Sequence, residues 1–537
     1  MRRLFGICLA LLTPALAAIG QTNPPPNVRE LSLQDCIELT LKHNLDLKID
    51  RYNPEIQLFA LEAYYGYYDP NLNLSGQHSH DQAGSRILSG GFFVAGSTSD
   101  QDSFSSTLSG NLPWGTTYTL GTLDPIQDTT GTSGTTRNTT NIDFFTPITT
   151  LPATNGFLPV TNLVPHFTQV AGTQPFENSS GSVGLQVNQP LLKNFWIDSN
   201  RLNIRVAKNR LKYSDETLRL QIMQTITTLE EAYYDLIYNR ENVLVQEKAV
   251  ELAERLVAEN RKKLEVGTLA PLDLQSAEAQ AASSRAAVIA ARSQLGTQER
   301  VLKGLITDEY SAWAGLELIP TATLAAQPPI VNLQDSWSKG LTQRPDLVQA
   351  KLDVERAGIQ LKYSRNQLFP ELDAFATAGY RGTGKEYSDA LHEIEERNLP
   401  YYLLGGRFSF PLSNRAARNN YKSSKVSLEQ MVLTLKRLEQ NVMIQIDNDI
   451  GTIRANFDQV HATRTAREYQ EAALDAEQKK LESGKSTTYT VLQVQRDLTN
   501  ARGAEIQALD TYNKSLSQLS LDEGSTLDRL GIHFEVK

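Results

Sequence analysis

The sequence predicts an α+β membrane protein in which membrane-length β-strands continue into long coiled-coil helices. Three observations predict it. Sequence landmarks recur in one order in both halves of the chain. Apolar residues repeat every seven positions over very long stretches. Short segments of alternating character have the length of a bilayer crossing. The 537 residues are 40% hydrophobic and 8% aromatic, enough for packed cores. A net charge of -9 argues against a nucleic-acid surface, which needs clustered Lys and Arg.

The N-terminus reads MRRLFGICLALLTPALAAIGQ. Arg2 and Arg3 form a basic n-region, Leu4 to Leu12 an apolar h-region, and Ala15-Leu16-Ala17 a small-x-small cleavage site. Residues 1–17 are therefore expected to be a secretory signal peptide. The apolar run is too short to span ~30 Å of hydrocarbon as an anchor. Cleavage leaves one cysteine, Cys36, and hence no internal disulfide. No later run is long and apolar enough for a membrane helix, so any spanning segments are strands.

The duplication sets the domain order. LSLQDCIELTLKHNLDL (31–47) matches VNLQDSWSKGLTQRPDL (331–347) at Leu33, Gln34, Asp35, Leu41, Asp46 and Leu47. DPNLNL (69–74) answers FPELDA (369–374), NQPLL (188–192) answers SFPLS (409–413), and KKLEVG (262–267) answers KKLESG (479–484). The first repeat covers 18–308 and the second 331–524, with a linker at 309–330 and a tail at 525–537. The first copy is longer because it holds an insertion, 81–180, rich in Gly, Ser, Thr and Asn.

Each copy reads helix, strand, strand, long helix, glycine turn, helix. Leu229, Leu236, Val243, Val250, Val257 and Leu264 recur every seven residues, as do Ile446, Ile453, Val460, Leu474 and Leu481, with Arg467 as the one break. A strict seven-residue period describes helices that supercoil in register. The segment 198–265 has no interior Pro or Gly and would extend about 100 Å at 1.5 Å per residue. Gly267 and Gly484 suit the left-handed position after a helix end, and the lysines before them suit its negative pole. Pro271 then opens a returning helix, so each copy ends in a helical hairpin.

The strands alternate. Val183, Leu185 and Val187 share one face, as do Leu372, Ala374, Ala376, Ala378 and Tyr380, and as do Tyr402, Leu404, Phe408 and Phe410. Runs of about ten residues fit tilted membrane strands, and Tyr380, Tyr401 and Tyr402 are candidates for interfacial aromatics. Four strands per chain cannot close a membrane barrel, and open edges in lipid leave backbone groups unpaired. The chain is therefore expected to oligomerise, three copies giving about twelve strands. Within the insertion, FSSTLSGNLPWGTTYTLGT (104–122) reads as two strands joined at Pro113-Trp114-Gly115. It is placed on the outer surface between the first two barrel strands; the alternative puts it in the wall, giving six strands per chain.

No catalytic or metal constellation emerges. GYRGTGKE (379–386) nearly fits a phosphate loop, but Glu386 replaces the magnesium-binding hydroxyl. HEIEE (392–396) lacks the second histidine of a zinc motif, and His78 and His80 lack a third ligand. No nucleophile–base set is apparent, so the chain is read as neither an enzyme nor a cofactor protein.

The ordered duplicated motifs resemble the TolC-like family of outer-membrane efflux proteins. The resemblance rests on LSLQDCIELTLKHN and VNLQDSWSKGLTQRPDLVQAKLDVERA, PELDAF, QPLL and FPLS, and the hairpin tips EVGT…PLDLQSAEAQ and ESGK…TVLQVQRDL. It implies a homotrimer with one pore, a β-barrel through the outer membrane and an α-helical tunnel in the periplasm. It implies partners too: outer-membrane lipid, a periplasmic adaptor (membrane fusion) protein facing Val266, Gly267, Thr268, Leu269, Ser483, Gly484, Lys485 and Ser486, and an inner-membrane transporter. Such a channel exports small molecules or proteins. The family carries acids just after the tip glycines, where such channels close, which makes Asp273, Thr490 and Gln493 the pore-constriction candidates: Asp273 matches the first copy's acid, and Thr490 and Gln493 stand where the second copy's acids would be, after a one-residue insertion. A periplasmic or surface coiled-coil scaffold or adhesin is the alternative, supported by the polar-faced helices and the Ser/Thr-rich insertion.

Overall fold

A computed structural model describes residues 27–87, 93–142 and 165–532. The expected signal peptide and parts of the insertion and tail lie outside the described residues. Strand β1 (Asn27–Leu31) leads to helices α1 (Leu33–His43), α2 (Leu45–Asp50) and α3 (Tyr52–Tyr65). Then come β2 (Asn71–Ala83), β3 (Arg86–Ile87), β4 (Phe93–Val94), β5 (Ser97–Asn111), β6 (Thr117–Ile142) and β7 (Pro165–Pro190). The first hairpin is α4 (Ser199–Glu265) and α5 (Pro271–Ile306), followed by α6 (Tyr310–Trp313) and β8 (Leu316–Pro320). The second copy runs α7 (Leu333–Gln343), α8 (Pro345–Asn366), β9 (Glu371–Gly384), α9 (Tyr387–Glu396), β10 (Leu399–Ser409), α10 (Arg415–Glu482), α11 (Thr488–Asp522) and α12 (Thr526–Arg529). The repeated LQD begins a helix each time. Asp35 N donates to Ser32 Oγ (3.1 Å) in a capping box, and Gln334 N donates to Asn332 Oδ1 (3.1 Å). The two long helices are unbroken at 67 and 68 residues.

The described residues fall into two units. One takes in the described parts of Met1–Asn53, Asp215–Gln349 and Lys436–Lys537. Here β1 pairs in parallel with β8, so the linker clips onto the start of the first copy. Cys36, Ile37, Leu229, Tyr233, Leu236, Leu302, Ile306 and Leu318 form its main core. The Tyr233 hydroxyl is satisfied there by Leu31 O at 3.0 Å. The heptad is buried at Leu229, Leu236 and Val243, then half-buried at Val250, Val257 and Leu264 as burial moves to Ala253, Leu256 and Asn260. In α10, Ile446, Ile453, Val460 and Leu474 are buried. Arg467 breaks the stripe because it joins a charged lattice, 3.1 Å from Glu471 and 2.6 Å from Glu505 of α11. Arg464 and Arg502 complete it against Glu505 and Glu471.

The other unit comprises the described parts of Pro54–Ser214 and Ala350–Leu435 and holds an antiparallel sheet of six strands, ordered β10-β9-β7-β6-β5-β2. The four expected strands are present, but β5 and β6 lie between β2 and β7. The placement of the 104–122 hairpin on an outer surface is thus corrected: its two strands continue the ladder, Leu72 opposite Leu108 and Leu120 opposite Leu185. Its period-two alternation gives it the same two faces as its neighbours. The segment read as a near phosphate loop runs from the end of β9 into α9, where Glu386 is the N-cap.

A prediction concerns the second copy's first helix. A Cβ on Gly340 would lie 2.5 Å from Ile446 Cδ1 and 3.3 Å from Val442 Cγ1, so α7 seats against α10 through that missing side chain. Gly340→Val should cost about 1–3 kcal/mol by overpacking. Ile446→Ala should then cost less in the Gly340→Val background than in the native one in thermal melts; equal costs would show that the crowding lies elsewhere.

Candidate functional site

The two hairpin tips are built by the same backbone rule. At the first, Gly267 has φ 76°, Gly267 N donates to Leu264 O (2.9 Å) and Thr268 N to Lys263 O (2.9 Å). At the second, Gly484 has φ 71°, Gly484 N donates to Leu481 O (3.2 Å) and Lys485 N to Lys480 O (2.8 Å). Both are Schellman motifs, in which a left-handed residue lets the chain satisfy the last helix carbonyls. The repeated KKLE-x-G phrase spells this cap. Side chains reinforce it differently: Thr268 Oγ1 donates to Lys263 O (3.0 Å), while Ser483 Oγ donates to Lys479 O (3.1 Å) and the Ser486 hydroxyl bonds Glu477.

The returning helices start the same number of residues after each glycine. Ala270 precedes α5, with Pro271 at the first helical position; Thr487 caps α11 by accepting from Thr490 N at 3.3 Å. Asp273 and Thr490 therefore occupy the same third helical position, and the apparent one-residue insertion before Thr490 is not there. The shift comes later: Gln493 is exposed one residue beyond the counterpart of Gln275. Asp273 and Thr490 are half-buried. A carboxylate at this position suits the positive helix end, and Thr490 instead meets the Thr487 hydroxyl at 2.9 Å.

Behind the tips, Leu256 and Leu474 of the long helices pack with Val491, Leu492 and Leu498 of α11. The first hairpin is laced by Arg261–Glu278, Arg285–Glu254 and Arg292–Glu247, with N···O distances of 2.7–3.0 Å. These pairs are exposed and add little stability singly. Arg496 of α11 donates to Gln280 of α5 at 3.2 Å, a direct tie between the hairpins. At the very ends, Val266 (72%), Leu272 (71%) and Tyr489 (71%) project apolar surface, alongside exposed Thr268, Ser483 and Lys485; Leu269 and Ser486 are half-buried.

A second cluster in this unit carries no signal in the sequence. Asp449 of α10 and Asp522 of α11 meet beside Arg344 of the RPDL stretch. Asp522 accepts from Gln445 Nε2 (2.8 Å) and Gln518 Nε2 (2.8 Å), and Arg344 Nη1 lies 3.6 Å from it. Burial, then the Asp522 charge and a hydrogen bond to Asp522, push the Asp449 carboxyl up to about 7. The buried Cys36 thiol is pushed up to about 12, chiefly by burial, which makes it inert.

In the sheet unit, Tyr402 is 82% exposed on the apolar face, and Tyr380 shares that face. Tyr401 points to the opposite face, where Arg381 stacks 4.5 Å from its ring centroid. Of the three candidate interfacial tyrosines, only Tyr380 and Tyr402 therefore share the apolar side. His78 and His80 each bond one aspartate, Asp102 (2.8 Å) and Asp100 (2.5 Å), and no metal-holding cluster occurs among the described residues.

Comparison with known proteins agrees with this architecture. A family model described as outer membrane efflux protein matches residues 157–307 and 337–521. The chain is 25% identical over 362 residues to the outer membrane efflux protein BepC of Brucella suis biovar 1 (strain 1330), covering 66% of this chain and 74% of that one. It is 22% identical over 355 residues to the outer membrane protein TolC of Vibrio cholerae serotype O1 (strain ATCC 39315 / El Tor Inaba N16961), covering 64% and 78%. In fold it matches the CmeC outer membrane channel of Campylobacter jejuni, with TM-score 0.61 at 14% identity over 92% of this chain and 86% of that one. It also matches the outer membrane protein VceC of Vibrio cholerae, with TM-score 0.60 at 16% identity over 94% and 97%.

The acid pair carries a pH prediction. Asp449 holds its proton more tightly folded than unfolded. Its contribution to stability is complete below the ordinary value of 3.8 and is lost as pH rises through about 7. Asp449→Asn should raise Tm by a few degrees at pH 8, with the gain shrinking toward pH 4. An equal gain at both pH values would show that the carboxyl does not titrate there.

Proposed function

Because the chain belongs to the outer membrane efflux protein family, we propose that three copies assemble into an export channel whose helical hairpins meet a periplasmic adaptor. The protein sits in the outer membrane with a large periplasmic part. The adaptor in turn links it to an inner-membrane transporter that supplies the energy and selects the cargo. The observation that carries this reading is the pair of equivalent capped tips bearing exposed Val266, Leu272 and Tyr489. Apolar residues held outward on rigid turns are what a docking partner covers. The mixed surface beside them, with Lys485 and Ser483, gives such a contact a polar rim.

Across a trimer, Asp273 would recur as a ring of three carboxylates and Thr490 as a ring of three hydroxyls. A carboxylate ring at a constriction favours cations. The purified protein should therefore conduct in a planar bilayer, and Asp273→Asn should lower its K⁺ over Cl⁻ preference, read as a reversal potential in a KCl gradient. Thr490→Asp should raise it. Unchanged selectivity in both variants would remove the tip from the constriction. A photo-crosslinker placed at Val266 or Tyr489 should capture the adaptor in cells, and one on the exposed helix face at Val432 should not; the reverse pattern would move the docking surface away from the tips.

A further inference from the structure

We propose that the trimer closes as a barrel of eighteen strands, β10 of each copy pairing with β2 of the next, rather than the twelve that four strands per chain would give. The inference rests on the trimeric channel reading above. Three observations place β5 and β6 in the wall.

The first is the ladder. β2 pairs with β5 over its whole length, Asn71 opposite Ser109 to Ala83 opposite Ser97. β6 pairs with β7 from Thr117–Asn188 upward, and no pairing joins β2 directly to β7.

The second is the apolar band. Directly opposed residues form one row across all six strands: Leu72, Leu108, Leu120, Leu185, Ala378 and Tyr402. All but half-buried Leu108 are exposed. The next row, on the other face, reads Asn71, Ser109, Thr119, Gln186, Thr377 and Leu403. At this row the inserted hairpin thus carries an apolar side and a polar side at the same height as its neighbours; one row up, the apolar side continues at Leu74, Val183 and Tyr380, with Ser106 and Thr122 on the inserted strands. The band ends together too: His78–Asp102 tops it on β2 and β5, and the acidic α9 tops it beside β9.

The third is the turn. Leu112 N and Thr116 O close it at 2.8 Å, and a Cβ on Gly115 would lie 3.0 Å from Arg201 Nη2 and 3.2 Å from Asn194 O. Asn111 also donates to Tyr67 O at 3.3 Å. The hairpin's tip is therefore level with the places where the chain enters β2 and leaves β7, so β5 and β6 run the full height of the sheet.

The occupant of the free edges is a second copy of this chain. β2 and β10 are the two ends of the sheet and run in opposite directions, because an even number of antiparallel strands separates their ladders. A copy's β10 can therefore extend the neighbour's β2 in the same antiparallel pattern, and lipid leaves the unpaired edge no other partner. Barrel diameter grows roughly linearly with strand number, so eighteen strands give a mouth about 1.5-fold wider than twelve, in the range of open aqueous channels.

The test uses the full chain purified as its trimer. Cryo-electron microscopy in a lipid nanodisc should show eighteen wall strands. In a Cys36→Ser background, Leu108→Cys with Leu120→Cys, and Leu120→Cys with Leu185→Cys, should join within one chain through a short thiol crosslinker. Leu72→Cys with Leu185→Cys should not, being three strand spacings or roughly 14 Å apart. With Leu74→Cys on β2, cysteines scanned along β10 over 399–409 should instead join neighbouring chains at one register. A trimer with twelve wall strands, or efficient joining of residues 72 and 185, would overturn the wall while leaving the channel reading intact. A monomeric particle would overturn both.

Discussion

Everything in the sheet follows from one constraint: in hydrocarbon, each backbone N–H and C=O must be paired inside the protein, since an unpaired group costs several kcal/mol. A single chain meets it for four of its six main strands and leaves one side of β2 and of β10 open. In the proposed trimer, assembly is the completion of a hydrogen-bond ladder. This is why the apolar face alone does not decide the fold. Leu72, Leu120 and Leu185 would be equally content in any apolar surrounding, whereas the ladder admits one answer at a time.

The helical unit is governed by a different economy. Its buried seam is made of Leu, Ile and Val at seven-residue steps, and its exposed sides are laced by Arg–Glu pairs that cross between antiparallel helices. Arg467 shows the two systems meeting. It occupies a seam position, yet it lies in reach of Glu471 and Glu505. A charge at such a site is tolerable because its partners come from both helices and the site is only partly covered.

Most of this was legible in the letters. The repeat, the two long helices, the glycine turns and four of the strands can be read because each rests on local chemistry: a period, a cap or an alternation. The β5–β6 hairpin reads as two strands from its alternation over 104–122, but alternation gives a strand two faces without saying which neighbours pair with it, so its place in the sheet is not legible. What settles it is pairing with β2 and β7, which is long-range and leaves no local mark. Asp449 and Asp522 were missed for the same reason, being 73 positions apart in sequence. At the tips, the letters suggest an insertion before Thr490; the capped starts align Asp273 with Thr490 without one, because the helix N-terminus fixes the register.

The Schellman turns separate two jobs that loops often combine. Each turn is specified by a glycine and by backbone carbonyls, so its shape owes little to the side chains at Val266, Leu269 or Tyr489. Those positions are free to drift without unmaking the bend that presents them. In the proposed docking, a lineage can therefore readdress this protein by rewriting a few outward letters, while the bracket that holds them stays the same in both copies.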